Sequence, residues 1–192
     1  MAKLQTASKQ SRKSRTDALF FRAGKLEDSG NLKAAFRLFL AGAKAGDRSC
    51  QLNVGNYYDD GKGIRRNPAA ALYWYKRAYR RGDALAAHNI GIMWRNEEKP
   101  KRALTWFRQA VNMGYDEANL EIAKYYIGNE NSLREAIPHL ERVCRSNWVS
   151  EAGAEEAAQL LKQTRKKLKL SWNRKLSNNK GGADVFRLSP QN

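Results

Sequence analysis

The sequence predicts an all-α protein: an α/α solenoid of about four helix-pair repeats plus a C-terminal capping helix. Three observations predict it. The chain repeats itself, its body is rich in helix formers, and glycines punctuate it at matching places. The stretch Ala71-Leu72-Tyr73-Trp74-Tyr75-Lys76-Arg77-Ala78, followed by Gly82-Asp83, returns as Ala103-Leu104-Thr105-Trp106-Phe107-Arg108-Gln109-Ala110, followed by Gly114. An older echo is Ala35-Phe36-Arg37-Leu38-Phe39 with Gly46-Asp47, and a worn one is Ala136-Ile137-Pro138-His139-Leu140 with Val143. The steps are 36, 32 and 33 residues, a period that marks stacked supersecondary units. From Asp17 to Leu161, Ala, Leu, Arg, Lys and Glu dominate and β-branched runs are absent.

Cutting the repeats at their glycines gives units at about 17–46, 47–82, 83–114 and 115–147. The first helix of each carries a small residue, then an apolar residue beside Gly or Ala, then an aromatic. These are Cys50, Val54-Gly55 and Tyr58; Ala86, Ile90-Gly91 and Trp94; Ala118, Ile122-Ala123 and Tyr126. Small residues let two helices approach closely, and the aromatics fill the space beyond them. The second helix puts Ala, a bulky apolar pair and a small residue on one face, as in Ala103, Trp106-Phe107 and Ala110. Gly46, Gly82 and Gly114 then close it in a left-handed turn, with Asn147 in that role in the fourth unit. The second unit has a long inter-helix loop, Asp59 to Pro68, which the third replaces with a shorter link around Glu97 to Pro100. Val149 to about Leu170 reads as one longer helix with Ala157, Leu161 and Leu168 on a face, suited to covering the last repeat.

The net charge of +17 is concentrated at the ends. Residues 1–15 contribute +5 and residues 162–192 contribute +8, leaving +4 for the body. The expected organisation is a disordered basic tail over 1–15, a repeat domain with its capping helix over 16–170, and a flexible basic tail over 171–192. Two cysteines, Cys50 and Cys144, make no disulfide framework. No apolar run is long enough to span a membrane and no secretory signal pattern is visible, so the expected location is cytoplasmic; the Ser-, Lys- and Arg-rich start leaves an organelle-targeting role for residues 1–16 open.

The pattern from Cys50 to Gly82 resembles the SEL-one-like repeat (SLR), a relative of the tetratricopeptide repeat. The likeness rests on Val54-Gly55, Tyr58, Gly61-Lys62-Gly63-Ile64, Ala71, Trp74-Tyr75, Ala78 and Gly82. It covers about 17–147 and is strongest over 50–114. The resemblance implies first helices that line a concave surface used to bind another protein. It implies no catalytic residue, cofactor or particular partner. The resemblance also implies export by bacteria in many members, and the expectation of no secretory signal departs from that.

The candidate chemistry is sparse. His139 falls where other units have Leu38, Trp74 and Trp106, and His88 where they have Leu52 and Leu120. Both read as packing histidines, with no carboxylate or cysteine at the spacing of a general base or a metal ligand. Cys50 matches Ala86 and Ala118, and Cys144 follows a small packing position. Gly61-Lys62-Gly63 lacks the phosphate-loop pattern, and Asp59-Asp60-Gly61 lacks the calcium-loop spacing. No catalytic residue, metal or cofactor is therefore expected.

Two surfaces stand out as binding candidates. Tyr57, Met93 and Tyr125 hold equivalent places in successive first helices, with Asn56, Ile92 and Lys124 beside them, a row that reads equally as a concave partner site and as packing against the next unit. Lys62, Arg65, Arg66, Lys76, Arg77, Arg80 and Arg81 form a basic run without an intervening acid; it reads equally as a contact for acidic groups and as a solvated face. The stretch Leu160 to Trp172 is basic and amphipathic, and reads first as the frayed end of the capping helix. The sequence thus points to a non-catalytic protein–protein interaction module or adaptor whose partner has an acidic surface. In a bacterial setting it would act as an immunity protein neutralising a toxin or as a regulator of an enzyme. The alternative is a nucleic-acid-associated protein gripping phosphates through its basic tails and the 62–81 cluster.

Overall fold

The computed structural model describes residues 2–129 and 132–183, with side chains between residues 13 and 173. Among the described residues there are nine helices and no strand. They are α1 (Ala2–Asp28), α2 (Leu32–Lys44), α3 (Arg48–Asp60), α4 (Pro68–Tyr79), α5 (Ala84–Asn96), α6 (Pro100–Asn112), α7 (Ala118–Ile127), α8 (Leu133–Arg145) and α9 (Glu151–Ala183). The chain divides into two compact units, Met1–Tyr115 and Asp116–Asn192. In the first, α1 to α5 each pack on the next helix in sequence; in the second, α7 packs on α8 and α8 on α9.

Local chemistry sets the helix ends. Asp47 and Asp83 accept the amides of Cys50 and Ala86 at 2.7 and 2.9 Å, satisfying donors that the first turn leaves open. Asn67 caps α4 in the same way through Ala70, at 3.1 Å, and Pro68 follows where no amide is needed. Gly46, Gly82 and Gly114 take φ of 96°, 84° and 91°, as the repeat predicts. Asn147 does not take the left-handed turn expected of it: among the described residues Glu98 is the one non-glycine with positive φ, at 56°. Instead α8 ends in an extended Ser146, whose hydroxyl donates to Asp116 Oδ2 at 2.9 Å. Arg142 Nε donates to the other oxygen of the same carboxylate, also at 2.9 Å. With Asp116 holding both groups, the chain leaves the helix without a left-handed residue.

The core of the first unit runs from α1 and α2 into α3 and on to α5. One cluster joins Ala23, Ala35, Phe39, Cys50, Val54, Tyr57 and Trp74; another joins Ala71, Tyr75, Ala78, Ala86 and Ile90. In the second unit, Ala157 of α9 is fully buried against Leu120, Ala136, Leu140 and Val143. That is the covering role expected of the last helix.

Two boundaries differ from the sequence reading. Helix α1 runs through the segment expected to be a disordered tail, and α9 continues past residue 170 to Ala183. Residues 2–16 contain no glycine or proline, and none occurs between Gly153 and Gly181. Lys, Arg, Gln and Ala are good helix formers, so a polar basic composition does not stop a helix that a packed neighbour has started. The rest of the expected second tail, residues 184–192, lies outside the described residues.

Candidate partner-binding surfaces

The first-helix row divides once side chains are placed. Tyr57 is 1% exposed, its ring 5.7 Å from both Phe36 and Phe39. It is a core residue and not part of a free face, because that side of α3 receives α2. The sequence reading assigned Tyr58 to packing and Tyr57 to the surface; in α3 it is Tyr58 that stays half-buried. Met93 and Ile92 of α5 are half-buried, and Met93 packs at the edge of the Tyr75–Ile90 cluster. Asn56 is half-buried too. Its Oδ1 accepts from Tyr75 Oη at 2.9 Å and from Asn89 Nδ2 at 3.1 Å, so one oxygen ties α3 to both α4 and α5. In the second unit, Lys124 bridges Glu121 at 3.2 Å and Glu156 at 2.9 Å. Burial pulls its pKa down, but the two carboxylates outweigh it and leave the ammonium above its ordinary value. Tyr125 is half-buried and meets the ring of Tyr126 edge-on at 5.5 Å.

The basic run is spread out as well. Lys62, Arg65 and Arg66 precede α4, Lys76 and Arg77 lie in its last turn, and Arg80 and Arg81 follow it; its 12 residues span about 18 Å. At the far end, Arg77 donates to Tyr73 Oη at 2.8 Å and lies over Trp74 at 5.3 Å. Arg81 joins Lys13 and Arg48 around a polar hollow that also includes Asp47. At the near end, Lys62 pairs with Glu27 at 3.4 Å and Arg66 with Asp59 at 3.7 Å. Arg65 is exposed and makes no ion pair among the described residues.

Beside that near end lies a cleft of about 500 Å³. Phe36, Tyr58, Ile64 and Pro68 give it an apolar lining, with Arg65 and Arg66 at its edge. Sequence reasoning missed it. The readable signal was the extra length of the Asp59–Pro68 loop together with an apolar residue, Ile64, among its polar neighbours.

His139, His88 and Cys50 sit in packing roles, as their repeat positions predict, whereas Cys144 does not, because its side of α8 faces solvent. His139 Nδ1 meets Asn119 Oδ1 at 2.8 Å and its ring stacks on Tyr126. His88 packs against Phe107 and Tyr115. Cys50 is fully buried, and burial raises its thiol pKa well above the ordinary value, with Asp47 adding to the effect. Cys144 is exposed. Among the described residues no group of three His, Cys, Asp or Glu side chains is placed to hold a metal ion, and no helix is long and apolar enough to cross a membrane.

Comparison with known proteins agrees with this architecture. The Sel1 repeat model matches three times, over residues 20–47, 48–83 and 84–115, together half of the chain. An F-box protein of Arabidopsis thaliana is 32% identical over 95 residues, covering 48% of this chain; the chain spans 26% of that relative's length. A Sel1 repeat protein from Oxalobacter formigenes superposes with a TM-score of 0.57 at 22% identity, covering 79% of this chain and 70% of its own. A protective antigen of uropathogenic Escherichia coli strains, displaying an SLR fold, superposes with a TM-score of 0.53 at 20% identity, covering 96% of this chain and 51% of its own. At these identities the solved structures bear on the fold alone. With three repeats matched in register with the helix pairs described above, the chain belongs to the Sel1 repeat family.

Proposed function

We propose that this protein is a non-catalytic adaptor that binds a partner protein through the exposed faces of its repeat helices. The Sel1 repeat fold is a protein–protein interaction module. The observation that carries the reading is the shared Asn56 oxygen. By accepting from Tyr75 and Asn89 together, it fixes one face of α3 and α5 with Ile92 and Met93 beside it, half-buried. A surface held in one conformation loses little freedom on binding. In the second unit, Lys124 and Tyr125 are the corresponding candidates. The net charge of +17 favours a partner with an acidic surface and speeds encounter with it. Neutralising a toxin or occluding an enzyme's site is the finer form of this reading, and the basic residues are its means of steering.

The test is cross-linking of the full chain to its partners in native lysate, read by mass spectrometry, with Met93→Asp and Tyr125→Asp variants run in parallel. Proteins captured by the parent and lost with either variant, while melting temperature is kept, support the reading. Capture indifferent to both variants overturns these faces as the site. The nucleic-acid alternative makes a separate prediction: binding to labelled oligonucleotide whose affinity falls steeply with salt, independent of either substitution.

A further inference from the structure

We propose that the cleft beside the Asp59–Pro68 loop takes an acidic linear segment of a partner protein, seating one large apolar side chain on Phe36, Tyr58, Ile64 and Pro68 and a neighbouring carboxylate on Arg65. This rests on the interaction reading above and names a site and a partner chemistry for it.

The cleft is built by the feature that sets the second repeat apart. Its inter-helix loop is the long one, and Gly61 and Gly63, with φ of 74° and 63°, fold that loop back. Gly63 lies so close to Leu32 at the start of α2 that a side chain there would strike it. That closure brings Ile64 down beside Phe36 and Tyr58. The loop is then pinned. The Asn67 amide donates to the Tyr58 carbonyl at 2.8 Å, and Arg66 Nε donates to the Asp59 carbonyl at 2.7 Å. The site is therefore formed before any partner arrives, which lowers the entropy lost on binding.

The charge pattern selects the occupant. Lys62 and Arg66 already hold carboxylates, Glu27 and Asp59, whereas Arg65 has none. An exposed guanidinium beside an apolar floor matches a carboxylate next to a large apolar side chain, and a guanidinium prefers that planar, two-oxygen partner. The volume of about 500 Å³ accommodates a side chain and its flanking backbone. A nucleic acid fits less well. Phe36 and Tyr58 meet edge to face, 5.3 Å apart at 85°, which leaves no parallel slot for a base, and one unpaired cation does not track a phosphate backbone.

The test uses the full chain and an array of fluorescein-labelled dodecapeptides with Leu, Ile, Met or Phe at the centre and Asp or Glu on either side. Matched arrays carry Ser at the centre, or Lys in place of the acids, and a labelled oligothymidine serves as the nucleic-acid probe. The expected result is binding by members of the acidic–apolar array alone, weakened at least tenfold by Arg65→Glu. Ile64→Ser, checked for an unchanged melting profile, weakens it comparably. Amide shifts of the labelled full chain should centre on residues 61–68 and on Phe36 and Tyr58. No binding, equal binding of the Ser-centred array, preference for oligothymidine, or indifference to Arg65→Glu overturns the proposal. Amide shifts centred on Ile92 and Met93 would overturn the cleft while leaving the interaction reading standing. Loss of partner cross-links with Met93→Asp, set against peptide binding unchanged in that variant, separates the two surfaces.

Discussion

The ring of Tyr75 on α4 lies against the Cα of Gly55 on α3, so closely that a methyl group on Gly55 would collide with ring carbons Cδ1 and Cε1. The next repeat builds the same contact between Phe107 on α6 and Gly91 on α5. The glycine is what lets the two helices of a pair close over an aromatic side chain. Gly55→Ala should therefore lower stability by about 1–3 kcal/mol, the usual range for overpacking. Gly24 is the control. It too is helical, but an added methyl there meets nothing within 4 Å, so Gly24→Ala should raise stability by up to about 1 kcal/mol. Urea midpoints of the two variants shifting in opposite directions would confirm the contact; shifts of the same sign would refute it.

The two cysteines should differ in reactivity because their surroundings differ. Cys50 is fully buried where α2 and α3 meet, with its sulfur over Gly42, and burial raises its thiol pKa. Cys144 is exposed on α8. A chromogenic disulfide reagent at neutral pH should modify one thiol per native chain promptly and the second only after urea is added. Prompt modification of both would show that the α2–α3 contact opens readily.

Much of this was legible in the sequence, and the reason is the repeat. A contact made once in a unit is made again one period later, so Gly55 and Gly91 announced the helix approach, and Gly46, Gly82 and Gly114 the left-handed turns. What failed to show was the rotation of a helix by one residue. Tyr57 and Tyr58 are both aromatic and adjacent, and only the direction from which α2 arrives puts Tyr57 inside. The second unit is hidden for a different reason: Asp116 replaces a backbone turn with side-chain hydrogen bonds to Ser146 and Arg142, which have no counterpart in the other repeats. Linear charge clustering does not show either that the basic run is spread along a 12-residue helix and its two ends. The cleft at Ile64 escaped notice because it comes from loop closure, and periodicity carries no information about a segment present in one repeat alone.

Glu98 marks a place where the sequence is not optimal for its backbone. It holds φ of 56° in the link between α5 and α6, where the Glu98 and Lys99 amides bond back to the carbonyls of Arg95 and Trp94 at 3.0 and 2.9 Å. A side chain in the left-handed region costs about 1–2 kcal/mol relative to glycine, part of which glycine gives back through its larger unfolded-state entropy. Glu98→Gly should stabilise the protein by about 0.5–1 kcal/mol, while Glu98→Val should destabilise it. Thermal melts of the three chains, ranked Gly above Glu above Val, would establish the strained turn. A fall with Glu98→Gly would mean that the side chain contributes more than the turn costs.

Tyr57 gives the fold an alkaline limit. Burial raises its phenol pKa from 10.0 to about 12, and the negative charge of Glu27 adds to the effect. The folded state thus holds the neutral phenol more firmly than the unfolded chain does. Below pH 10 both states keep the proton and the stability is fully present. As pH rises from about 10 towards 12, the unfolded chain ionises first and stability falls, by up to about 2–3 kcal/mol for a shift of this size. The buried hydroxyl makes no hydrogen bond of good geometry among the described residues and has only the nearby Glu27 carboxylate as a weak partner, so Tyr57→Phe removes little at neutral pH. That variant should match the parent within about 1 kcal/mol at pH 7 and lose less stability than the parent between pH 10 and 12. Urea denaturation across that interval measures the difference, and parallel decline of the two proteins would place the alkaline sensitivity in another buried group, with Tyr75 and Cys50 the next to substitute.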